Sequence, residues 1–121
     1  KYIILSVALL LNKDSPQNIC FNMKQYLNQK KQTQPLGTKN AGCVFKNGQN
    51  YKIAELIQNL NLKGKSVGNA QISTKHSNFI VNNSNASCQN VKDLINYIQI
   101  KVQKEYGINP ELEIELIKEG E

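Results

Sequence analysis

Arginine and tryptophan are absent from this 121-residue chain, histidine and methionine occur once each, and proline and cysteine three times each. Without arginine the commonest bidentate contact to guanine is missing, which counts against base-specific reading of a duplex. Three cysteines make neither a paired disulfide framework nor a four-ligand zinc site, and no pair of metal-ligand motifs occurs. Such sparse thiols point to a reducing, intracellular setting, so the expected localisation is cytoplasmic. The longest apolar run, Tyr2 to Leu11, is too short to span a bilayer as a helix. Asn12-Lys13-Asp14 follows it without a small-residue cleavage pattern, so the run reads as a buried strand rather than a signal peptide. Neither common glycine-rich phosphate loop is present, nor any internal repeat or low-complexity linker.

What is abundant is lysine and asparagine, 15 and 17 residues. The net charge of +6 is unevenly spread: residues 1–110 hold 14 lysines and four acids, whereas 111–121 hold five glutamates and one lysine. A basic body attracts polyphosphates, nucleic acid or anionic lipids without choosing among them. Charge therefore leaves open a non-catalytic basic module for RNA or an anionic surface. A biased genomic composition explains the same counts more simply.

The chain has the length of one domain with a core of its own. Asp14-Ser15-Pro16 supplies a cap and a first-turn proline, and Ile19, Cys20, Met23, Tyr26 and Leu27 then recur at helical spacing, predicting a helix that ends near Gln32. Gln34-Pro35-Leu36-Gly37 is a turn, Thr38 to Gly42 a polar stretch, and Cys43-Val44-Phe45 a short strand. Ile53, Ala54, Leu56, Ile57 and Leu60 mark a second helix, and Gly64 and Gly68 bracket a loop. Two short strands follow, Ala70 to Ser73 and Asn78 to Asn82, joined by a loop rich in donors. Val91, Leu94, Ile95, Ile98, Val102 and Tyr106 form a long amphipathic helix stopped by Gly107. Leu112, Ile114 and Leu116 alternate with glutamates and predict a closing strand. The fold class expected is α+β, a small mixed sheet packed with about three helices.

Few residues could carry chemistry. Cys43 follows a flexible glycine at the entry to a strand, a position that can expose a thiol, although isolated cysteines more often serve as small buried hydrophobes. Cys20, on the apolar stripe of the first helix, is read as packing, and Cys88 as packing or surface. His76 lies in a polar loop where it can bind an anion or titrate near neutrality. Glu111, Glu113, Glu115, Glu119 and Glu121 form an acidic tail, and alternation places the first three on one face without choosing among them. A cysteine hydrolase built on Cys43 and His76 is conceivable, but no spacing supports it specifically.

Three stretches, in order, resemble one family. Thr33-Gln34-Pro35-Leu36 followed by Ala41-Gly42-Cys43-Val44-Phe45-Lys46-Asn47 is similar to TQPL and AGSxFKNP. Residues 64–82 are similar to GKxxGxAQxSxKHxNFIVN, and Leu112-Glu113-Ile114 is similar to PEV. These are motifs of the C-terminal, substrate-binding domain of UDP-N-acetylenolpyruvoylglucosamine reductases (MurB), flavoenzymes of peptidoglycan precursor synthesis. The resemblance implies residues 1–12 as the end of, or junction with, a preceding flavin-binding domain, and 13–121 as the substrate-binding domain. It implies FAD held mainly by that other domain, NADPH as co-substrate, and UDP-N-acetylglucosamine enolpyruvate as the molecule reduced, with neither nucleic acid nor membrane as partner. A hydride reaches the enolpyruvyl methylene carbon and a proton the neighbouring carbon. In most members the serine of AGSxFKN gives that proton, and Cys43 stands in its place here; a thiol is the stronger acid. By the same resemblance Glu113 is the second catalytic acid, and Lys31, Gln34, Asn47 and His76 contact substrate. Lys31 replaces an arginine and Gly48 a proline of the family pattern.

Overall fold

The computed structural model describes residues 3–117. Helix α1 spans Pro16–Thr33, strand β1 Lys39–Cys43, helix α2 Ile53–Asn59, strands β2 Ser66–Val67, β3 Ala70–Ile72 and β4 Phe79–Asn82, and helix α3 Cys88–Tyr106. The sheet has the order β1-β4-β3-β2 and is antiparallel throughout, where a mixed sheet was expected. The reason is connection length: β2 turns into β3 through Gly68 and Asn69, and β3 into β4 through residues 73–78, both too short for a parallel crossover.

Local chemistry sets the helix ends. Ser15 caps α1 by accepting the Asn18 amide proton at 3.2 Å, and Gln34, forced extended by Pro35, stops it. A reciprocal capping box of Ser87 and Asn90 starts α3, and Gly107 ends it in the left-handed region. The second and third helices lie where periodicity predicts them. Leu94, Ile95, Ile98 and Val102 of α3 pack with Ile53 and Ile57 of α2 over Ala70, Ile72 and Ile80 of the sheet, and Val44, Phe45 and Leu62 complete this core.

Four expectations are corrected. Residues 3–11 form no strand, and Ile3, Ile4, Leu5, Val7, Leu9, Leu10 and Leu11 are exposed, because no sheet edge among the described residues pairs with them; Tyr2 lies outside those residues. Helix α1 forms, yet its apolar stripe, Cys20 included, is exposed rather than packed, and lines an open groove of about 760 Å³. The strand expected at 43–45 begins at Lys39, inside the stretch expected to be a polar loop, and ends at Cys43. The closing strand reduces to one bridge, Phe45 to Leu112, because Pro110 has no amide proton and the chain bends at 113–114. Its alternation is nevertheless real: Leu112 and Ile114 pack on the core while Glu111, Glu113 and Glu115 are exposed.

Candidate functional site

The site grows from an irregularity in β1. Asn40 pairs with Val81 and Cys43 with Phe79, so Ala41 and Gly42 together oppose Ile80. Side chains alternate along a strand, so if the one-to-one pairing at Asn40 simply continued, Cys43 would oppose Asn78 on the core face that Ile80 occupies. The bulge turns it onto the opposite face with its partner Phe79. Gly42 supplies the required backbone at φ 85°, and the Asn40 side chain holds the bend, accepting the Gly42 amide proton at 3.0 Å while donating to the Pro35 carbonyl at 3.3 Å. A β-carbon at Gly42 meets nothing within 4 Å, so Gly42→Ala strains only the backbone. The expected loss is about 1–2 kcal/mol in urea unfolding.

Beyond Cys43 the chain dives inward. Val44 donates its amide proton to the Asn78 carbonyl and accepts from the Glu113 amide, each at 2.9 Å, and Lys46 donates to the Glu111 carbonyl at 2.9 Å. This pairing of 44–46 with 111–113 carries Glu113 to Cys43. The three glutamates, equivalent in sequence, differ here. Glu111 is ion-paired to Lys46, whose ammonium that bond holds above its ordinary pKa. The Glu113 charge acts on the Cys43 thiol, and Glu115 is exposed. Cys43 is itself exposed at its surface side, as is Cys88. Partial burial, more than the nearby Glu113 carboxylate, pushes the Cys43 thiol up from its ordinary range, and a hydrogen bond from Asn78 opposes the rise. The thiol therefore stays protonated at neutral pH. That suits a proton donor and is the reverse of an activated nucleophile, so the hydrolase reading loses its support. Neutralising the carboxylate removes one cause of the rise. Glu113→Gln is thus expected to bring the pH profile of Cys43 alkylation by iodoacetamide to lower pH, read in a Cys20→Ser, Cys88→Ser background.

His76 packs edge-on against Phe79 with ring centroids 4.7 Å apart, so it and Cys43 both neighbour that phenyl ring. Its Nδ1 accepts the Asn78 amide proton at 3.3 Å, which leaves Nε2–H as the free donor. Burial, then the charge of Lys63, lowers the His76 pKa, so the ring is neutral at pH 7. Ser73 fixes this loop by accepting the amide protons of Lys75 and His76 at 3.1 and 3.3 Å, and Ser77 donates to the Ala54 carbonyl. A small cleft of about 120 Å³ beside His76 is lined by Lys63, Lys75, Glu55 and Gln58. Gln34 is half-buried at the end of α1, and Lys31 is exposed; Lys75 Nζ donates to the Lys31 carbonyl at 3.0 Å and ties that end of the helix to the His76 loop. Asn47 stands on the far side of residues 44–46. Its Oδ1 accepts the Ile53 amide proton at 3.1 Å, which fastens the start of α2 and leaves the amide nitrogen available to a ligand. The glycine after it also has a structural reason. A β-carbon at Gly48 would come too close to the Tyr51 ring, so the proline expected from the motif would require this tyrosine to move.

Sequence reasoning placed Asn78, Ser73 and Ser77 in strands and their connecting loop but gave none of them a part in the site. A buried asparagine between a histidine and an apolar strand was the available signal, since a buried amide needs partners. Among the described residues no cluster of side chains is suited to a metal ion. None of their helices is long and apolar enough to cross a membrane.

Residues 34–117 match the family model described as UDP-N-acetylenolpyruvoylglucosamine reductase, C-terminal domain. A UDP-N-acetylenolpyruvoylglucosamine reductase of Bacillus pumilus is 38% identical over 97% of this chain and 39% of its own length. That of Thermotoga maritima is 37% identical over 96% of this chain and 41% of its own length. The crystal structure of the reductase from Thermus caldophilus superposes with a TM-score of 0.67 at 36% identity, covering 85% of this chain and 36% of that one. The α+β fold, three helices with a four-stranded antiparallel sheet, is that of the corresponding part of this structure. The chain spans about two-fifths of the length of the curated relatives it matches.

Proposed function

Since the chain belongs to the family of UDP-N-acetylenolpyruvoylglucosamine reductase C-terminal domains, we propose that it is the substrate-facing domain of such a reductase, acting in the cytoplasm on UDP-N-acetylglucosamine enolpyruvate. Cys43 is the proton donor in this reading and Glu113 the second acid. The observation that carries it is the bulge that directs a protonated thiol out of the core face, beside the Glu113 carboxylate. Asn47 would offer its amide to the substrate's diphosphate or sugar. His76 would offer Nε2–H from the loop beside it, with Lys31 and Gln34 at the end of α1 next to that loop.

FAD, reduced by NADPH, would supply the hydride. In this reading the flavin is held mainly by another domain of the reductase. The flavin-binding domain of the same reductase is therefore the partner this reading requires. We place the start of the substrate-facing domain proper near Gln34, where the match to the family model begins, and residues 3–33, whose apolar side chains are exposed, would then face that other domain.

The test is substrate-dependent NADPH oxidation by the FAD-loaded reductase containing this domain, native against Cys43→Ala and Cys43→Ser. Full activity in the alanine enzyme would sink the donor role, and a native enzyme that oxidises no NADPH with this substrate would sink the reductase reading.

A further inference from the structure

Asn78 is 4% exposed, yet every polar group it owns has a partner. Its Oδ1 accepts the Phe45 amide proton at 3.0 Å and its Nδ2 donates to the Phe45 carbonyl at 2.8 Å. The side chain thus pairs with one residue as a strand neighbour would, at the point where β1 has ended. Its own carbonyl accepts the Val44 amide proton at 2.9 Å, and its own amide donates to His76 Nδ1 at 3.3 Å. One buried residue therefore grips the two positions after Cys43 while anchoring the His76 loop.

A buried amide with this many partners resists substitution, because its loss would leave backbone groups of Phe45 orphaned in the interior. The alternation of β4 does not require a polar residue here: Phe79, Ile80 and Val81, which follow it, are all apolar and buried. What the side-chain amide does is hold Phe45, next to the Val44 amide that the Asn78 carbonyl already takes, after the bulge has turned Cys43 outward. Alignment of a reacting group within about an ångström is worth up to 100-fold in rate.

We propose that Asn78 is the positioning residue for the Cys43 proton donor, fixing the thiol on the outer face by pairing with the backbone of Val44 and Phe45. This rests on the donor reading above. Asn78→Asp isolates the contribution, since it keeps an acceptor for the Phe45 amide but loses the Nδ2 donor to the Phe45 carbonyl.

The experiment uses the FAD-loaded full-length reductase, with native and Asn78→Asp enzymes measured beside Cys43→Ala. For Asn78→Asp the expected result is a kcat about 10- to 100-fold lower, with KM changed by less than about threefold. Alkylation of Cys43 by iodoacetamide is expected to be slower at a given pH, because a group favouring the thiolate is gone and a carboxylate disfavouring it has arrived. A folded Asn78→Asp enzyme with native kcat, alongside an inactive Cys43→Ala enzyme, overturns the positioning role alone. A fully active Cys43→Ala enzyme overturns the donor reading and this proposal with it. If Asn78→Asp does not fold, the native enzyme decides: the Asn78 side-chain amide resonances must titrate together with Cys43 alkylation, and resonances that ignore the thiol overturn the proposal.

Discussion

Turnover of the FAD-loaded reductase is expected to fall by about 10²–10⁴-fold when Cys43 becomes alanine, the span usual for loss of a positioned acid. Cys43→Ser is expected to keep most of the activity. The asymmetry follows from chemistry at one atom. Alanine leaves no exchangeable proton above Phe79, so protonation must wait for solvent. Serine puts a hydroxyl at the same place on the same bulge, and serine is the residue of the family motif at this position. Because Cys43 is held protonated by burial and by the Glu113 carboxylate, the native enzyme should lose activity on the alkaline side as the thiol ionises. That limb should shift with Glu113→Gln and vanish in Cys43→Ser. Steady-state NADPH oxidation between neutral and alkaline pH reads all three variants.

The largest effect on stability is expected at Phe45. It is 1% exposed, belongs to the core with Ile53, Ile57 and Leu94, and bridges to Leu112. Truncation to alanine removes a phenyl ring from close-packed surroundings and should cost about 3–5 kcal/mol in chemical unfolding. A domain of this size has about 5–15 kcal/mol in total, so Phe45→Ala should leave a substantial unfolded fraction at moderate temperature. Its backbone is also what Asn78 grips. The variant should therefore lose catalytic rate even under conditions where it remains folded, whereas Leu94→Ala, on the far helix, should lose stability with less effect on rate.

The parts of the fold written in local chemistry were readable. Ser15, Pro16 and Gly107 announce helix ends by capping geometry, and the three-and-four spacing from Leu94 to Val102 places α3 against the sheet. What was hidden is long-range. The apolar segment 3–11 has the composition of a buried strand, but composition does not say what it pairs with, and nothing described here covers it. Alternation near Leu112 correctly separates apolar from acidic faces and still does not make a strand, since pairing depends on two hydrogen bonds to residues 44–46 and ends with them. In the site, motif resemblance nominated Cys43 and Glu113 but gave no geometry to their relation. The bulge, the split fates of Glu111 and Glu113, and the grip of Asn78 are products of register. Register is set between strands far apart in sequence.

The extra residue in β1 has one more effect. The sheet order leaves β1 and β2 as its two outer strands, and outer strands offer unpaired backbone groups to any extended chain that drifts past. Strand β2 answers by being two residues long. Strand β1 answers with its kink at Gly42, which breaks the even spacing of amide and carbonyl groups that a visiting strand would need. The same bulge therefore also guards the sheet against self-association, and deleting one of its two residues would give β1 an evenly spaced, pairable edge while Cys43 stayed opposite Phe79.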